Sequence, residues 1–339
     1  MSSTTAGTAS RATGRVTAKD VARHASVSQS TVSYVLNNTP GQSITPATRE
    51  RVLQAVRELG YVPSAAARTL RTGVGEGVLL ILPHAPLGHT IVQFIDQVTD
   101  ELDRYGFSVV FRRRKMGQDL TRLIQEMSPA AVVFLGTDEA PELTWLTEKG
   151  TPAFFTGIDS DQPGVIDIPQ HSIGALQAQH LIERGHRRIG YALDRNPLLA
   201  PFATARHAGA REACLQAGLP EPVVMEIAPD IQDAAGAVAR WRAAAEPVTA
   251  VCAYNDDTAF TLLAGMRELG LSAPQDLAVI GVDNTPLGAF AAPPLTTIDS
   301  HIERFGVDMV RVVLAELAPG KAAAPSFDPR AELIVRGTT

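Results

Sequence analysis

Uncharged side chains that can hydrogen-bond are grouped within residues 28–37, close to the N-terminus. In a helix they would face outward together, while Val32, Val35 and Leu36 would face a core. The outward-facing residues are Gln29, Ser30, Ser33, Tyr34 and Asn37. Amide and hydroxyl groups donate and accept hydrogen bonds, so this face is suited to recognising the polar edges of a partner.

Capping residues around this stretch predict three short helices. A first helix begins after Thr17, which forms a capping box with Asp20, and a second begins after Ser28. A third begins at Thr45-Pro46 and ends at Gly60. Two short helices joined by so tight a turn form a helix-turn-helix, whose second helix can enter the major groove of DNA. The alternative is a small helical bundle that packs on another surface.

The charge distribution favours DNA as the partner of this region. Residues 1–71 contain nine Lys or Arg against three acidic residues, a net charge of +6, although the whole chain has a net charge of -6. The remainder of the chain therefore has a net charge of -12. A basic end attracts phosphates, while an acidic body repels them.

A short connector follows the third predicted helix. Pro63 is a proline stop, and Ser64 can cap a further short helix that contains Leu70. So few residues cannot hold a helix alone in water. Residues 72–77, TGVGEG, are predicted to be a flexible linker. They precede a strand instead of following one, so they do not match a dinucleotide-binding turn.

Short apolar runs alternate with amphipathic stretches through the rest of the chain. One series begins with VLLIL at residues 78–82, and a second begins after about residue 170. Each has the strand–helix–strand order expected of a parallel sheet covered by helices. Two such lobes predict an α/β core with a ligand cleft at the carboxyl ends of the strands.

Polar residues directly follow two strands of the second lobe. Asn255 follows VCAY and Asp283 follows VIGV, so both side chains are predicted to project into the cleft. Arg206 is predicted to head the helix after the strand IGYAL. The alternative is a set of caps and turns, in which Asp256 and Asp257 cap the next helix and Asp283 closes an Asx-turn.

Several motifs occur in a fixed order along the chain, from Val16 to Thr339. They are KDVA with VSxxTVSxVLN, TRERVLQAVRELGYVP, AARTLR, HLIERGHRRIGY, YNDDTAF with RELGL, VIGVDNTPLGAFAAPPLTTI and ELIVRGTT. On these motifs the chain resembles the LacI/GalR family of bacterial transcription regulators. The resemblance implies a repressor that binds a near-palindromic operator in double-stranded DNA as a homodimer and is controlled by a small-molecule effector in the cleft.

The resemblance also implies roles for residues of the N-terminal region. It places base contacts at Gln29, Ser30 and Tyr34. It places phosphate or positioning contacts at Thr17, Lys19, Ser28, Thr31, Ser33, Asn37 and Arg71. Leu70 matches a leucine that wedges between base pairs in the minor groove, and the alternative is a linker whose leucine packs on the core. Ser26 stands where relatives often have Gly or Asn, which predicts a small strain in the turn.

For the cleft, the resemblance implies effector contacts by four residues. These are Arg206, Asn255, Asp283 and His84. Other positions depart from the family pattern. Pro169-Gln170 replaces an Asp-Asn pair, and Ile231 stands at the position of an aromatic residue that stacks on the ligand. These departures argue against an ordinary hexose.

A basic run lies close to the same edge of the predicted sheet. Arg112, Arg113, Arg114 and Lys115 follow the predicted strand SVVF at residues 108–111. The simpler interpretation is a solvated group of charges. The alternative is an anionic effector, such as a phosphorylated sugar or an organic acid, that one guanidinium of the run holds together with Arg206.

Other functional classes find less support in the sequence. No apolar run reaches membrane-spanning length and residues 1–15 lack the apolar centre of a signal peptide, so we expect a cytoplasmic protein without a membrane partner. Cys214 and Cys252 have no CxxC spacing and are expected to be buried thiols. The chain has no GxSxG, HExxH, P-loop or metal-ligand motif, so we expect no catalytic residues, cofactor or metal. The alternatives are a stand-alone sugar-binding protein and an α/β enzyme with an accessory DNA-binding head.

The predicted organisation has four parts. They are a disordered tail (1–15), a helix-turn-helix DNA-binding domain (16–62), a hinge helix and linker (63–76), and an effector-binding and dimerisation core (77–339). Within the core the N-lobe takes about 77–169 plus 300–325, and the C-lobe about 170–299 plus 326–339. The predicted fold class is α/β, with a helix-turn-helix head and a hinge helix attached to a core that resembles periplasmic binding proteins.

Overall fold

The computed structural model describes residues 16–36, 41–61, 75, 77–84, 86–115, 117–136, 142–160, 165–318, 320 and 331–339. The chain divides into two compact units, Met1–Gly75 and Glu76–Thr339. Asn37, Leu70 and Arg71, and with them the predicted hinge helix, lie outside the described residues. Within the described ranges, no helix combines the length and the apolar character needed to cross a bilayer.

Three helices form the described part of the first unit. They are α1 (Ala18–His24), α2 (Gln29–Leu36) and α3 (Pro46–Leu59). Val21, Val32 and Val52, one from each helix, are fully buried in a shared apolar cluster. The apolar spacing along the chain therefore produces the predicted helix-turn-helix.

The predicted caps hold the ends of these helices. The Asp20 carboxylate accepts hydrogen bonds from the Thr17 N–H at 3.0 Å and from the Thr17 hydroxyl at 2.6 Å. Ser28 Oγ accepts from the N–H of Thr31 at 3.1 Å. Thr45 caps α3 in the same way. Each cap satisfies a backbone group that the helix itself leaves without a partner.

Residues with positive φ shape turns of the first unit, and Gly60 and Ser26 are two of them. Gly60 ends α3 with a φ of 60°. Ser26, in the turn between α1 and α2, has a φ of 52°. A side chain in this left-handed region costs about 1–2 kcal/mol, whereas glycine adopts it freely. The strain predicted at Ser26 is therefore present.

The second unit begins with a five-stranded parallel sheet, which we call the N-lobe. Its strand order is β2-β1-β3-β4-β5. The strands are β1 (Gly77–Pro83), β2 (Ser108–Arg114), β3 (Ala131–Phe134), β4 (Ala153–Ile158) and β5 (Val165–Ile168). The helices between them along the chain are α4 (His89–Arg104), α5 (Thr121–Met127) and α6 (Leu143–Lys149).

The C-lobe is a six-stranded sheet in the order β11-β10-β9-β8-β6-β7, parallel except for β11. Its strands are β6 (Ile189–Asp194), β7 (Val223–Ile227), β8 (Ala250–Ala253), β9 (Ala278–Val282), β10 (Thr296–Asp299) and β11 (Glu332–Ile334). Its helices are α7 (His171–Glu183), α8 (Ala200–Gln216), α9 (Ile231–Arg242), α10 (Asp256–Glu268) and α11 (Pro286–Phe290). This parallel architecture confirms the predicted fold class.

One further helix links the lobes. Helix α12 (Ile302–Leu317) follows β10 of the C-lobe, but its Met309 and Val313 pack in the N-lobe core with Phe94 of α4. The chain therefore crosses between the lobes after β5, after β10 and again between α12 and β11. The first two crossings lie beside the carboxyl ends of parallel strands, where a cleft is expected.

Burial on both faces explains the near-continuous apolar strands of the C-lobe. All residues of β8 and of β9 are buried. Cys252 in β8 and Cys214 in α8 belong to one apolar cluster. Burial raises the pKa of the Cys214 thiol to about 11 and that of the Cys252 thiol well above its ordinary range. Both remain protonated thiols at neutral pH, as predicted.

The basic run differs from its prediction, because β2 continues to Arg114 and pairs with β1 along its whole length. Arg114 is buried and forms an ion pair with the buried Glu142 at 3.4 Å, and Glu142 also accepts the N–H of Leu120 at 2.6 Å. Arg112 and Lys115 are exposed. One member of the run is therefore a structural cation of the N-lobe, and the group as a whole is not solvated.

Candidate nucleic-acid interface and effector cleft

The N-terminal end of α2 presents polar side chains to solvent. Gln29 and Ser30 are exposed, and Tyr34 is half-buried one turn further along. Ser28 Oγ lies 2.7 Å from Ser30 Oγ and 2.8 Å from Thr31 Oγ1. These hydroxyls lie at a helix N-terminus, where the exposed N–H groups and the helix dipole favour an anion such as a phosphate.

The other predicted contacts of this region are placed as follows. Thr17 and Lys19 are exposed at the start of α1, and Ser33 is half-buried on α2. Thr17 is also committed to Asp20 through the capping box. The described candidates therefore lie at the start of α1 and along α2.

A cleft of about 620 Å³ lies between the N-lobe and the C-lobe. Arg206, Asn255 and Asp283, the three predicted residues of the C-lobe, all line it. Thr90 and Phe94 of α4 line it from the N-lobe. The volume falls within the range of small-molecule sites.

Arg206 is the most firmly held of these residues. It lies inside α8, which begins at Ala200, and not at its head as predicted, because the residues after β6 form a turn before the helix starts. Arg206 is buried, and its Nε donates to Gln170 Oε1 at 2.6 Å. Its Nη1 donates to the carbonyl of Tyr254 at 2.6 Å, and the guanidinium lies 4.7 Å from the centre of the Tyr254 ring.

Asp283 is half-buried after β9, with a φ of 108°. Burial raises the pKa of its carboxyl to about 7, and this rise outweighs the lowering effect of the nearby Arg206 cation. The hydroxyl of Thr90 donates to the same carboxyl from the N-lobe. The Asp283 carboxyl therefore titrates near neutral pH, and residues of both lobes contact it.

Asn255 combines a structural role with its place in the cleft. Its Oδ1 accepts the N–H and the hydroxyl of Thr258 at 2.9 and 2.8 Å, so it caps α10. The capping alternative thus applies to Asn255, and not to Asp256. The buried Asp256 carboxylate instead accepts hydrogen bonds from Thr285 at 2.8 and 2.9 Å and from Thr297 at 2.6 Å.

Two residues with predicted places in the cleft lie elsewhere. His84 is exposed and is not among the described lining residues, whereas His89 at the start of α4 lines the cleft. Ile231 opens α9 and is 48% exposed, while Ala228 and Pro229 form that part of the wall. No residue of the basic run is among the described lining residues either.

Sequence reasoning missed several lining residues. The sequence marked Gln170 only as a departure from a family pattern. In the structure Gln170 is buried and accepts a hydrogen bond from Arg206. Phe202 and Tyr254 supply aromatic surface to the cleft, and the position of Tyr254 directly before Asn255 was a usable signal. Phe202 and Gln170 offered no local signal, since their place depends on how α7 and α8 pack.

The charges around the cleft are mixed. Its lining carboxylates are Asp194, Asp257, Asp283 and Asp308, and its lining guanidiniums are Arg195, Arg206 and Arg304. Arg195 is paired with Asp233 at 2.9 Å. The hydrogen bond from the Ala228 N–H, and after it the Arg195 guanidinium, lower the pKa of the Asp233 carboxyl. A site with both signs of charge offers donors and acceptors without a strong preference for an anion.

A helix-turn-helix head on a two-lobed core with such a cleft defines a class of protein, the ligand-responsive DNA-binding regulators. Residues 17–64 match the model for "Bacterial regulatory proteins, lacI family", and residues 178–339 match that for "Periplasmic binding protein-like domain". The chain belongs to the lacI family of bacterial regulatory proteins. The predicted family and functional class are confirmed: it is a DNA-binding transcriptional regulator controlled by a small molecule.

Individual relatives support this assignment. The HTH-type transcriptional regulator MalR of Streptomyces coelicolor is 31% identical over 340 residues, covering 94% of this chain and 95% of MalR. A structure of the transcriptional regulator CelR in complex with cellobiose has a TM-score of 0.67 at 27% identity, covering 96% and 100% of the two chains. A Lac repressor dimer bound to operator and to the anti-inducer ONPF has a TM-score of 0.80 at 23% identity, covering 96% and 99%, and is similar in fold.

Proposed function

We propose that this regulator is a repressor that reads a two-fold symmetric operator with α2. A neutral, hydroxyl-rich ligand in the cleft controls whether the protein binds or releases that operator. The observation that most strongly supports this proposal is the joint lining of one cleft by the Arg206 guanidinium and the Asp283 carboxyl. Such a pair can donate to and accept from adjacent hydroxyl groups of one ligand.

The exposure of α2 supports base recognition by Gln29, Ser30 and Tyr34. Gln29 is exposed and unbranched, so its amide can reach an adenine edge and bond it twice. Ser30 is more constrained, because its hydroxyl lies against Ser28. Ser28, Thr31 and the exposed Lys19 are suited to phosphates, which fix the register of the helix without reading sequence.

The mixed charge of the cleft supports a neutral ligand over an anionic one. The Arg206 guanidinium already donates to Gln170 and Tyr254, which leaves part of it for a ligand. The aromatic walls from Phe94, Phe202 and Tyr254 suit the apolar face of a sugar ring. The CelR relative is described with cellobiose, and this also supports a sugar.

A selection of bound sequences from a random double-stranded DNA pool tests the DNA proposal. Enrichment of a palindrome with a fixed centre is expected. Gln29→Ala should then relax the preference at one position of each half-site and cost about 1–3 kcal/mol of binding free energy. Lys19→Ala is the matched control, because loss of a phosphate contact should weaken binding equally across sequences. An unchanged sequence preference in Gln29→Ala would contradict base reading by that residue.

Isothermal titration with paired sugars tests the effector proposal. The pair is cellobiose and cellobiose 6-phosphate. The neutral member should bind more tightly than its phosphorylated partner, and Asp283→Asn should weaken that binding. Glu268→Gln, an exposed change at the end of α10, is the control. Preference for a phosphorylated member would favour the anionic alternative instead.

A further inference from the structure

The first turn of α7 supports the effector-site arginine from two directions. The buried Gln170 accepts the Nε–H of Arg206 at 2.6 Å. At the same crossing, a Cβ placed on Gly174 would lie 1.7 Å from the carbonyl oxygen of Arg206. The side chain and the backbone of Arg206 therefore both rest on residues 170–174.

The N-lobe holds that same turn. Asp159, which follows β4, accepts hydrogen bonds from the N–H of Gln170 at 2.9 Å and from the N–H of His171 at 3.0 Å. The N–H of Asp159 in turn donates to the carbonyl of Ile168 at 3.2 Å. An N-lobe carboxylate thus satisfies the first N–H groups of a C-lobe helix, which the helix leaves without partners.

We propose that Gln170 is a positioning residue that ties the Arg206 guanidinium to the crossing between the lobes. A change in the position of the Arg206 side chain is then transmitted to Asp159 of the N-lobe through the first turn of α7. This inference rests on the proposed role of Arg206 in effector binding. The neutral amide fixes the direction of the guanidinium and leaves its positive charge for the ligand and Asp283. A leucine would remove the acceptor, and a glutamate would keep it but neutralise the charge.

Nuclear magnetic resonance of arginine side chains in the full-length protein tests the positioning without any ligand. Arg206→Lys identifies the Nε–H signal of Arg206 by its loss. Gln170→Leu should shift that signal and speed its solvent exchange at least about tenfold, as expected when a charged donor loses its partner. Gln170→Glu should restore slow exchange, and Gln179→Leu, an exposed change on the same helix, should leave the signal unaltered.

Hydrogen exchange of the backbone tests the link to the N-lobe in the same proteins. Gln170→Leu and Arg206→Lys should both speed exchange of the Gln170 and His171 amides, while Gln179→Leu should not. Unchanged exchange of the Arg206 Nε–H in Gln170→Leu would overturn the positioning role. Unchanged backbone amides in both variants would overturn the link. Neither readout needs an effector, so a failure of sugar binding would count against the proposed effector role alone.

Discussion

At the residue scale, Asp283 makes the stability of the core depend on pH. Its carboxyl has an ordinary pKa of 3.8 and a pKa of about 7 in the folded protein. As pH rises from about 4 to about 7, the unfolded chain loses this proton while the folded chain keeps it, so the free energy of unfolding falls. Above about pH 7 the Asp283 carboxyl is ionised in both the folded and the unfolded chain, and the free energy of unfolding falls no further on its account.

Asp283→Asn should remove this dependence. We expect urea unfolding to give the wild-type protein a free energy of unfolding that falls, relative to the variant, as pH increases from 4 to 7. Because every other titrating group is shared, the difference between the two proteins isolates Asp283. A difference that stays constant over this range would show that the folded carboxyl is already ionised at acid pH.

Ser26 offers a second residue-scale prediction. Its φ of 52° is costly for a residue with a Cβ, so Ser26→Gly should stabilise the helix-turn-helix by roughly 0.5–1 kcal/mol. Gly60→Ala is the matched converse, because Gly60 has a φ of 60° and a Cβ added there would meet no atom within 4 Å. Amide exchange in α1, α2 and α3 should slow in the first variant and quicken in the second. Equal exchange in both would mean that neither turn limits opening.

Single residues were predictable from the sequence where their chemistry is local. Thr17 and Asp20 form their capping box within one turn, so spacing alone was sufficient. Gln170 was not predictable in its role, because its partner Arg206 lies on another helix. His84 was misplaced for a similar reason, since the loop that follows β1 brings His89 to the cleft instead.

At the element scale, the crossing of α7 and α8 depends on glycine. A Cβ on Gly174 would lie 1.7 Å from a backbone oxygen of α8, so Gly174→Ala should destabilise the core by about 3 kcal/mol or more. Gly236→Ala is the control in α9, where the nearest atom, at 3.6 Å, is the flexible end of Arg240. That variant should be neutral or gain up to about 1 kcal/mol from helix propensity. Urea unfolding of both variants measures the contrast, and similar midpoints would mean that the two helices separate easily.

The strands were predictable as elements, but their ends were not. The apolar run at 108–111 identified β2, yet pairing with β1 extends the strand through three arginines. Arg114 is buried there with its charge neutralised by Glu142, from a distant part of the chain. A local pattern contains no information about such a partner, so the sequence favoured a solvated run.

At the scale of the whole molecule, the order of the strands and helices and the distribution of charge were the most predictable features. The basic head and the acidic remainder follow from a count of residues, and the two lobes follow from two series of alternating strands and helices. The composition of the cleft was less predictable, because its lining extends from Leu82 to Ala331 and draws on both lobes. Residues so far apart meet only through the complete fold.

The exposed surface of α11 allows a prediction about how the whole molecule assembles. Leu287 and Phe290 lie one turn apart on this helix and are 69% and 82% exposed. The buried Asp256 anchors the start of the helix through Thr285, so the apolar pair is held in place on the surface of the C-lobe. We propose that these fixed, exposed apolar groups form an interface with a second copy of the chain.

Phe290→Glu should therefore weaken the proposed homodimer. In sedimentation velocity at micromolar concentration we expect the wild-type protein to be a dimer and the variant to be largely a monomer, because a carboxylate would have to be buried in the interface. The operator affinity of the variant should fall as the dimer is lost, since a monomer contacts one half-site instead of two. Leu215→Glu, at the end of α8, replaces another exposed apolar residue and should remain dimeric. If Phe290→Glu also stays dimeric, the interface lies on another face, and α11 needs a different partner.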